Sequence, residues 1–218
     1  MLARSSLLAL AFSTSLLAAC GGSAPPPDVG VGQYGLRSGG MSYRLPVQGN
    51  WRVHRTHYGS RSDQAYAVDL VLDDDLPSGR SRQNSEYPTY NQPIVADGPG
   101  VVVIAVDGVP DNPPGVVNKY DMHGNFVVID HQNGEFSLMA HLIPGSLKVR
   151  PGQPVNAGSE IGRCGNSGHS SMPHLHWQVM NSANAHMAQG VPPRLLPYER
   201  NGSTSVELPQ RGDRLGVR

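Results

Sequence analysis

Residues 125–141 constrain this chain more than any other stretch: NFVVIDH (125–131) and EFSLMAH (135–141) flank Gln132-Asn133-Gly134. Two runs rich in β-branched and aromatic residues, joined through Asn-Gly, predict a hairpin, because glycine takes the positive φ that a tight turn needs. Alternation along the second run places Phe136, Leu138 and Ala140 toward the core and Ser137, Met139 and His141 on the opposite face. Elsewhere 26 Gly and 19 Pro punctuate short apolar runs, and helix-period stretches are scarce. The expectation is an all-β fold with an antiparallel sheet core.

Further strands are predicted at 66–71, 93–95, 100–106 and 175–179, with short strands and Pro-Gly and Ala-Gly turns inside 149–162. Residues 73–92 and 107–124 read as loops walling a substrate groove whose floor is the sheet, and 165–173 as a Gly/Ser loop. A chain of 218 residues suits a leader and one domain. The divisions expected are a leader over 1–20, a flexible tether over 21–40, a domain over 41–198 and a polar tail over 199–218 that frays. Formal net charge is zero, with no dense Lys/Arg run, so nucleic-acid binding has no electrostatic support.

In the leader, Arg4 precedes an apolar run (7–19) ending Leu16-Leu17-Ala18-Ala19-Cys20. The run is too short to span a bilayer and has the shape of a secretory signal. Its end resembles the bacterial lipobox, which implies cleavage and lipidation of Cys20. Acyl chains worth about 0.8 kcal/mol per buried methylene would then hold the protein on a membrane. Gly21 rather than Asp follows, so the expected location in a diderm cell is the outer membrane, facing the periplasm. Cys164 is the other cysteine, which leaves no intramolecular disulfide and makes it a buried filler or a nucleophile.

The chemistry concentrates in histidines. In His174-Leu175-His176-Trp177-Gln178-Val179, alternation puts His174, His176 and Gln178 on one face and Leu175, Trp177 and Val179 in the core. Such a pair on a rigid strand suits a metal site, or else a polar face in solvent. Asp69 lies in an apolar strand and needs a partner, a metal ion or an Arg or Lys. His141 ends the hairpin, and His54 and His57 precede the Asp69 strand. Catalytic zinc takes three protein ligands and keeps a position for water, whose pKa it lowers while polarising the scissile carbonyl. His57, Asp69 and His176 as ligands, with His141 and His174 as catalytic neighbours, fill those roles; His57 is preferred to His54 for its shorter return to Asp69. No HExxH occurs. His123, His131 and His169 read as turn or surface residues, with His169 also a candidate for lining the cleft.

The runs Tyr66-Ala67-Val68-Asp69-Leu70, GNFVVIDH (124–131), Ala140-His141-Leu142, 149–162 and GNSGHSSMPHLH (165–176) occur in that order. Over roughly residues 50–182 they resemble the lysostaphin-type, or LytM-like, peptidoglycan endopeptidases. The resemblance implies a duplicated-hybrid-motif β core and a zinc ion on Asp69, His176 and an upstream histidine. It also implies catalytic His141 and His174, and zinc-bound water attacking crosslinks or stems of peptidoglycan. The departure is the spacing, since the family pattern places the first ligand four residues before the Asp, whereas His57 precedes Asp69 by twelve. The resemblance also allows a non-catalytic wall-binding regulator that activates another hydrolase, and a protein activator or partner hydrolase as a further partner. The run VRPGQPVNAG (149–158) is shared with lipoyl-carrier and sugar-phosphotransfer hairpins, but a carrier needs a modifiable Lys at the tip.

Overall fold

A computed structural model describes residues 40–58, 64–72 and 82–218. The leader with Cys20, the tether up to residue 39, and residues 73–81 of the first expected groove wall lie outside the described residues. Among the described residues the elements are strands and one short 3-10 turn, with no α-helix. In chain order they begin β1 (Ser42–Tyr43), β2 (Gly49–Thr56), β3 (Val68–Leu72), β4 (Pro93–Val95) and β5 (Gly100–Val106). Then come β6 (Asn125–Asp130), β7 (Phe136–Leu142), β8 (Pro154–Val155), β9 (Glu160–Arg163) and β10 (Leu175–Met180). The last are β11 (Arg194–Leu195), β12 (Tyr198–Arg200), β13 (Ser203–Ser205) and β14 (Arg214–Val217).

Ten of these strands form one antiparallel sheet in the order β13-β12-β14-β2-β3-β10-β7-β6-β5-β8. The pairs β1–β11 (parallel) and β4–β9 (antiparallel) stand apart from it. Trp51, Val53, Val68, Leu70, Val127, Met139, Leu175, Trp177 and Val179 from one face join Tyr43, Leu45, Ile94 and Ile161 in the main core. Fully burying an aliphatic side chain of this kind is worth about 1.5–3 kcal/mol, so this layer dominates the stabilisation of the sheet.

The β6–β7 hairpin forms as expected, with Gln132 at φ +58° and Gly134 at φ +88° in the turn. The expected division of β7 into a core face and an open face does not hold, because all seven of its residues are buried. Met139 belongs to the main core, whereas Phe136, Leu138 and Ala140 join Val128, Met180, Ala183, Ala185 and Ala188 in a second apolar cluster. Residues 183–188 cover the Phe136–Leu138–Ala140 face, and the main core covers the face of Met139 that alternation leaves open. The strand expected from residue 66 begins at Val68, since Tyr66 takes φ +68° in the turn before it.

Fraying beyond Tyr198 is not observed. Strands β12–β14 continue the sheet, and β14 pairs with β2 from Arg214↔Arg52 to Val217↔Gly49. Leu215 and Val217 enter the main core. Asp213 knits this end together, accepting from Gln210 N–H, the Asn201 amide and the Arg200 guanidinium. Burial alone would raise its carboxyl, but these donors outweigh it and hold it below the usual carboxylate range.

Candidate metal and catalytic site

The central ladder sets the site. In β10, His176 is opposite Asp69 of β3 on one side and Ala140 of β7 on the other. Val68, Leu70, Leu175 and Trp177 point into the main core, which leaves Asp69 and His176 side by side on the other face. His176 Nδ1 lies 2.9 Å from Asp69 Oδ1. His57 follows β2, and its N–H bonds Ala67 O at 2.9 Å, which brings its Nε2 to 3.0 Å from Asp69 Oδ2. One ligand atom from each of His57, Asp69 and His176 falls within a 4.8 Å envelope. His54 does not join them: it sits at the β2 bulge between Val53 and Arg55, and Arg55 takes the register place opposite Asp69.

Every ion-pair contact of Asp69 among the described residues is to an imidazole, His57, His174 or His176, and none is to Lys or Arg. Burial alone would raise its carboxyl, yet the three imidazoles hold it well below the ordinary range. A buried carboxylate ringed by nitrogens, with one imidazole on each oxygen, is a donor set for a divalent cation.

His141 and His174 stand beside this trio, with ring centroids 4.7 Å apart, and His141 lies 5.9 Å from His176. Strand alternation would place His141 with Met139 on the main-core side. Its φ of +66° breaks the alternation and turns the ring to the site instead. A left-handed conformation at a non-glycine residue costs energy and collects where surrounding structure imposes it. Here His141 N–H bonds His123 O, and Gly165 N–H bonds His141 O.

Both rings have fixed proton positions. His141 Nδ1 lies 2.8 Å from Ser167 O, and His174 Nδ1 lies 2.9 Å from Met172 O. A carbonyl accepts only, so Nδ1 carries the hydrogen and Nε2 the lone pair in each neutral ring. Burial first, then the neighbouring imidazoles, holds both rings below the usual histidine value; for His174, Asp69 and the Met172 carbonyl partly oppose this. Both are poised as neutral bases.

The loop carrying these carbonyls was not resolved beyond a Gly/Ser character by its sequence. Ser170 Oγ lies 3.1 Å from His174 Nδ1 and donates to Asn166 Oδ1 at 2.7 Å. The Asn112 amide donates to Gly168 O and Ser170 O, and the Asn84 amide to Asn112 O. Glycine is required where this loop meets residue 124: a Cβ on Gly168 would lie 2.3 Å from Gly124 N. Only the density of Asn and Ser near His174 signalled this network.

Two histidines read as turn or surface residues are buried. The His123 ring packs against Phe126 and His186. His131 joins Ser137 and Asp97 beneath the sheet, its Nε2 at 2.8 Å from Ser137 Oγ. His169 is exposed, as expected. Cys164 is fully buried in the main core.

Residues 86–188 match the model of peptidase family M23. This segment is an M23 peptidase domain. It carries His141, His174 and His176, while His57 and Asp69 precede the matched stretch and reach the site through β2 and β3. Among curated proteins, the peptidoglycan DD-endopeptidase ShyA of Vibrio cholerae is 32% identical over 108 residues, 46% of this chain and 22% of the relative. ShyB of the same organism is 35% identical over 65 residues, 30% of this chain and 15% of the relative. The chain therefore matches less than a quarter of the length of either relative. Solved structures similar to the M23 domain and its surroundings include lysostaphin from Staphylococcus simulans, at 24% identity over 64% of this chain and 47% of that one, TM-score 0.44. A zinc-containing peptidase from Vibrio cholerae is 21% identical over 63% of this chain and 33% of that one, TM-score 0.36.

Proposed function

We propose that this chain is a zinc-dependent endopeptidase that hydrolyses peptide crosslinks or stems of peptidoglycan, held in the cell envelope by a lipid on Cys20. One observation carries the reading: the ligand atoms of His57, Asp69 and His176 converge within 4.8 Å, beside two imidazoles whose Nε2 lone pairs are left for chemistry. Two nitrogens and a carboxylate, with no thiolate, suit a catalytic rather than a structural zinc site. His57 through Nε2, Asp69 through its carboxylate and His176 through Nδ1 are the residues that would hold the ion. When bound, zinc supplies Lewis-acid polarisation of a carbonyl and a lowered pKa for water.

The remaining work falls to this chain's own side chains. His141 and His174, kept neutral by burial, take up a proton at Nε2. Once protonated, the same nitrogen donates a hydrogen bond to the oxyanion that develops on the substrate carbonyl. The Ser167 and Met172 carbonyls steady the resulting imidazolium through Nδ1–H. The names of the two Vibrio relatives support peptidoglycan as the substrate class. Export, the lipid anchor and an outer-membrane location rest on the sequence of residues 1–21.

Purified full-length protein incubated with purified peptidoglycan tests the proposal. The expected result is release of fragments cut at peptide bonds, slowed about tenfold or more by a chelator and restored by added zinc. Hydrolysis indifferent to chelation, or cleavage of glycan bonds alone, contradicts it.

A further inference from the structure

Gln178 lies two residues beyond His176 on the same face of β10 and is 1% exposed. Its cross-strand partner on β7 is Leu138, and the next residue along its own face is Met180, both in the second apolar cluster. A primary amide in such surroundings is costly unless it is hydrogen-bonded. Its Oε1 lies 2.9 Å from His176 Nε2, while its amide nitrogen is 3.5 Å from Met180 Sδ, a weak acceptor. The amide oxygen accepts and cannot donate, so it draws the imidazole hydrogen to Nε2. Nδ1 faces an acceptor too, Asp69 Oδ1 at 2.9 Å, so a neutral ring satisfies both contacts only when a cation takes the Nδ1 lone pair and Gln178 keeps the hydrogen on Nε2.

The contrast with the neighbouring rings is informative. His141 and His174 are tied at Nδ1 by backbone carbonyls, and so present Nε2. His176 is tied at Nε2 by a side chain, and so presents Nδ1. With a cation taking His176 Nδ1, that ring carries its hydrogen on Nε2, whereas His141 and His174 carry theirs on Nδ1. We infer that Gln178 is a positioning residue that fixes the tautomer and ring orientation of His176 for metal binding. The inference rests on the zinc reading given above.

Groups that orient a metal-bound imidazole through its second nitrogen typically contribute about 10–100-fold in metal affinity. The experiment measures zinc affinity of the purified full-length protein by competition with a chromophoric chelator, alongside nitrogen NMR of the histidine rings. Gln178→Met keeps the length of the side chain and removes the acceptor. It is expected to weaken zinc binding about 10–100-fold and to abolish the Nε2–H signature of His176. Gln178→Glu restores an acceptor and is expected to recover both readouts, which a purely structural role would not predict. Should the Met variant misfold, Gln178→Asn withdraws the acceptor by one methylene while remaining an amide, and the same loss is expected. Tight zinc binding by wild type and by folded Gln178→Met alike overturns the inference while leaving the zinc reading intact. Absence of zinc binding by the wild type overturns the zinc reading and the inference together.

Discussion

Asp69→Asn is expected to abolish stoichiometric zinc uptake and to lower peptidoglycan hydrolysis on the order of 10³-fold. The substitution keeps side-chain volume and leaves β3 in register, so its effect is electrostatic. Asp69 is the only carboxylate in the trio and makes contacts of 2.9–3.8 Å with three imidazoles. An amide offers one weaker acceptor oxygen and turns an NH₂ toward a neighbouring ring. Losing the metal removes several kcal/mol of charge stabilisation in the transition state, and each 1.36 kcal/mol is a factor of about ten in rate. Zinc content and fragment release measured on the same preparation test it. Near-wild-type hydrolysis by the folded variant would show that Asp69 holds no catalytic ion.

The second large effect concerns stability. Asp97, in the segment after β4, is fully buried and accepts from Ser137 Oγ at 2.8 Å and from the Trp177 indole N–H at 2.9 Å. His131 Nε2 lies 3.5 Å from the same carboxylate, and His131 Nδ1 reaches Pro99 O. Burial pushes the Asp97 carboxyl up, with the His131, Ser137 and Trp177 groups opposing that rise. Trp177 lies between His176 and Gln178 in β10, so this network anchors the core side of the strand that carries the site. Asp97→Ala removes the acceptor of the Trp177 indole N–H and the Ser137 hydroxyl and takes the carboxylate away from beside His131. Breaking a buried charged network this way costs about 3–5 kcal/mol, a fall in melting temperature of roughly 10 °C for a domain of this size. Thermal denaturation followed by circular dichroism measures it, and a melting temperature within about 2 °C of wild type would contradict the network's role.

Much of the fold was legible because local chemistry agreed with the tertiary outcome. The apolar runs 93–95 and 100–106 and the Asn-Gly hairpin became β4, β5 and β6–β7. The pairing of β3 with β10 sets Asp69 beside His176, two residues the sequence reading expected to act together. What local pattern could not show was long-range pairing. Strands β12–β14 are short and polar at Arg200, Ser203, Ser205 and Arg214, and they join the sheet because β14 pairs with β2, from Arg214↔Arg52 to Val217↔Gly49, across most of the chain. Such edge strands carry no apolar run for a sequence window to detect.

The site divides in the same way. Period-two alternation placed His176 and Gln178 on one face correctly, but it put His141 on the wrong one. The error lies in a single backbone angle, φ +66° at His141, for which a histidine in an apolar run gives no warning. The choice between His54 and His57 followed from return-loop length, whereas the structure brings His57 to Asp69 through a β-bulge at His54 and a hydrogen bond to Ala67 O. The buried His131–Ser137–Asp97 cluster was invisible because Asp97 lies 40 residues before Ser137 and each member is ordinary alone.

We propose that His57, Asp69 and His176 together hold a zinc ion. Zinc-edge X-ray absorption of protein purified without chelator, with metal content measured on the same sample, tests it most directly. The expected result is about one zinc per chain with nitrogen and oxygen neighbours near 2.0–2.1 Å, two of them imidazoles. Protein without zinc, or zinc with a sulfur neighbour near 2.3 Å that would implicate Cys164, would contradict it.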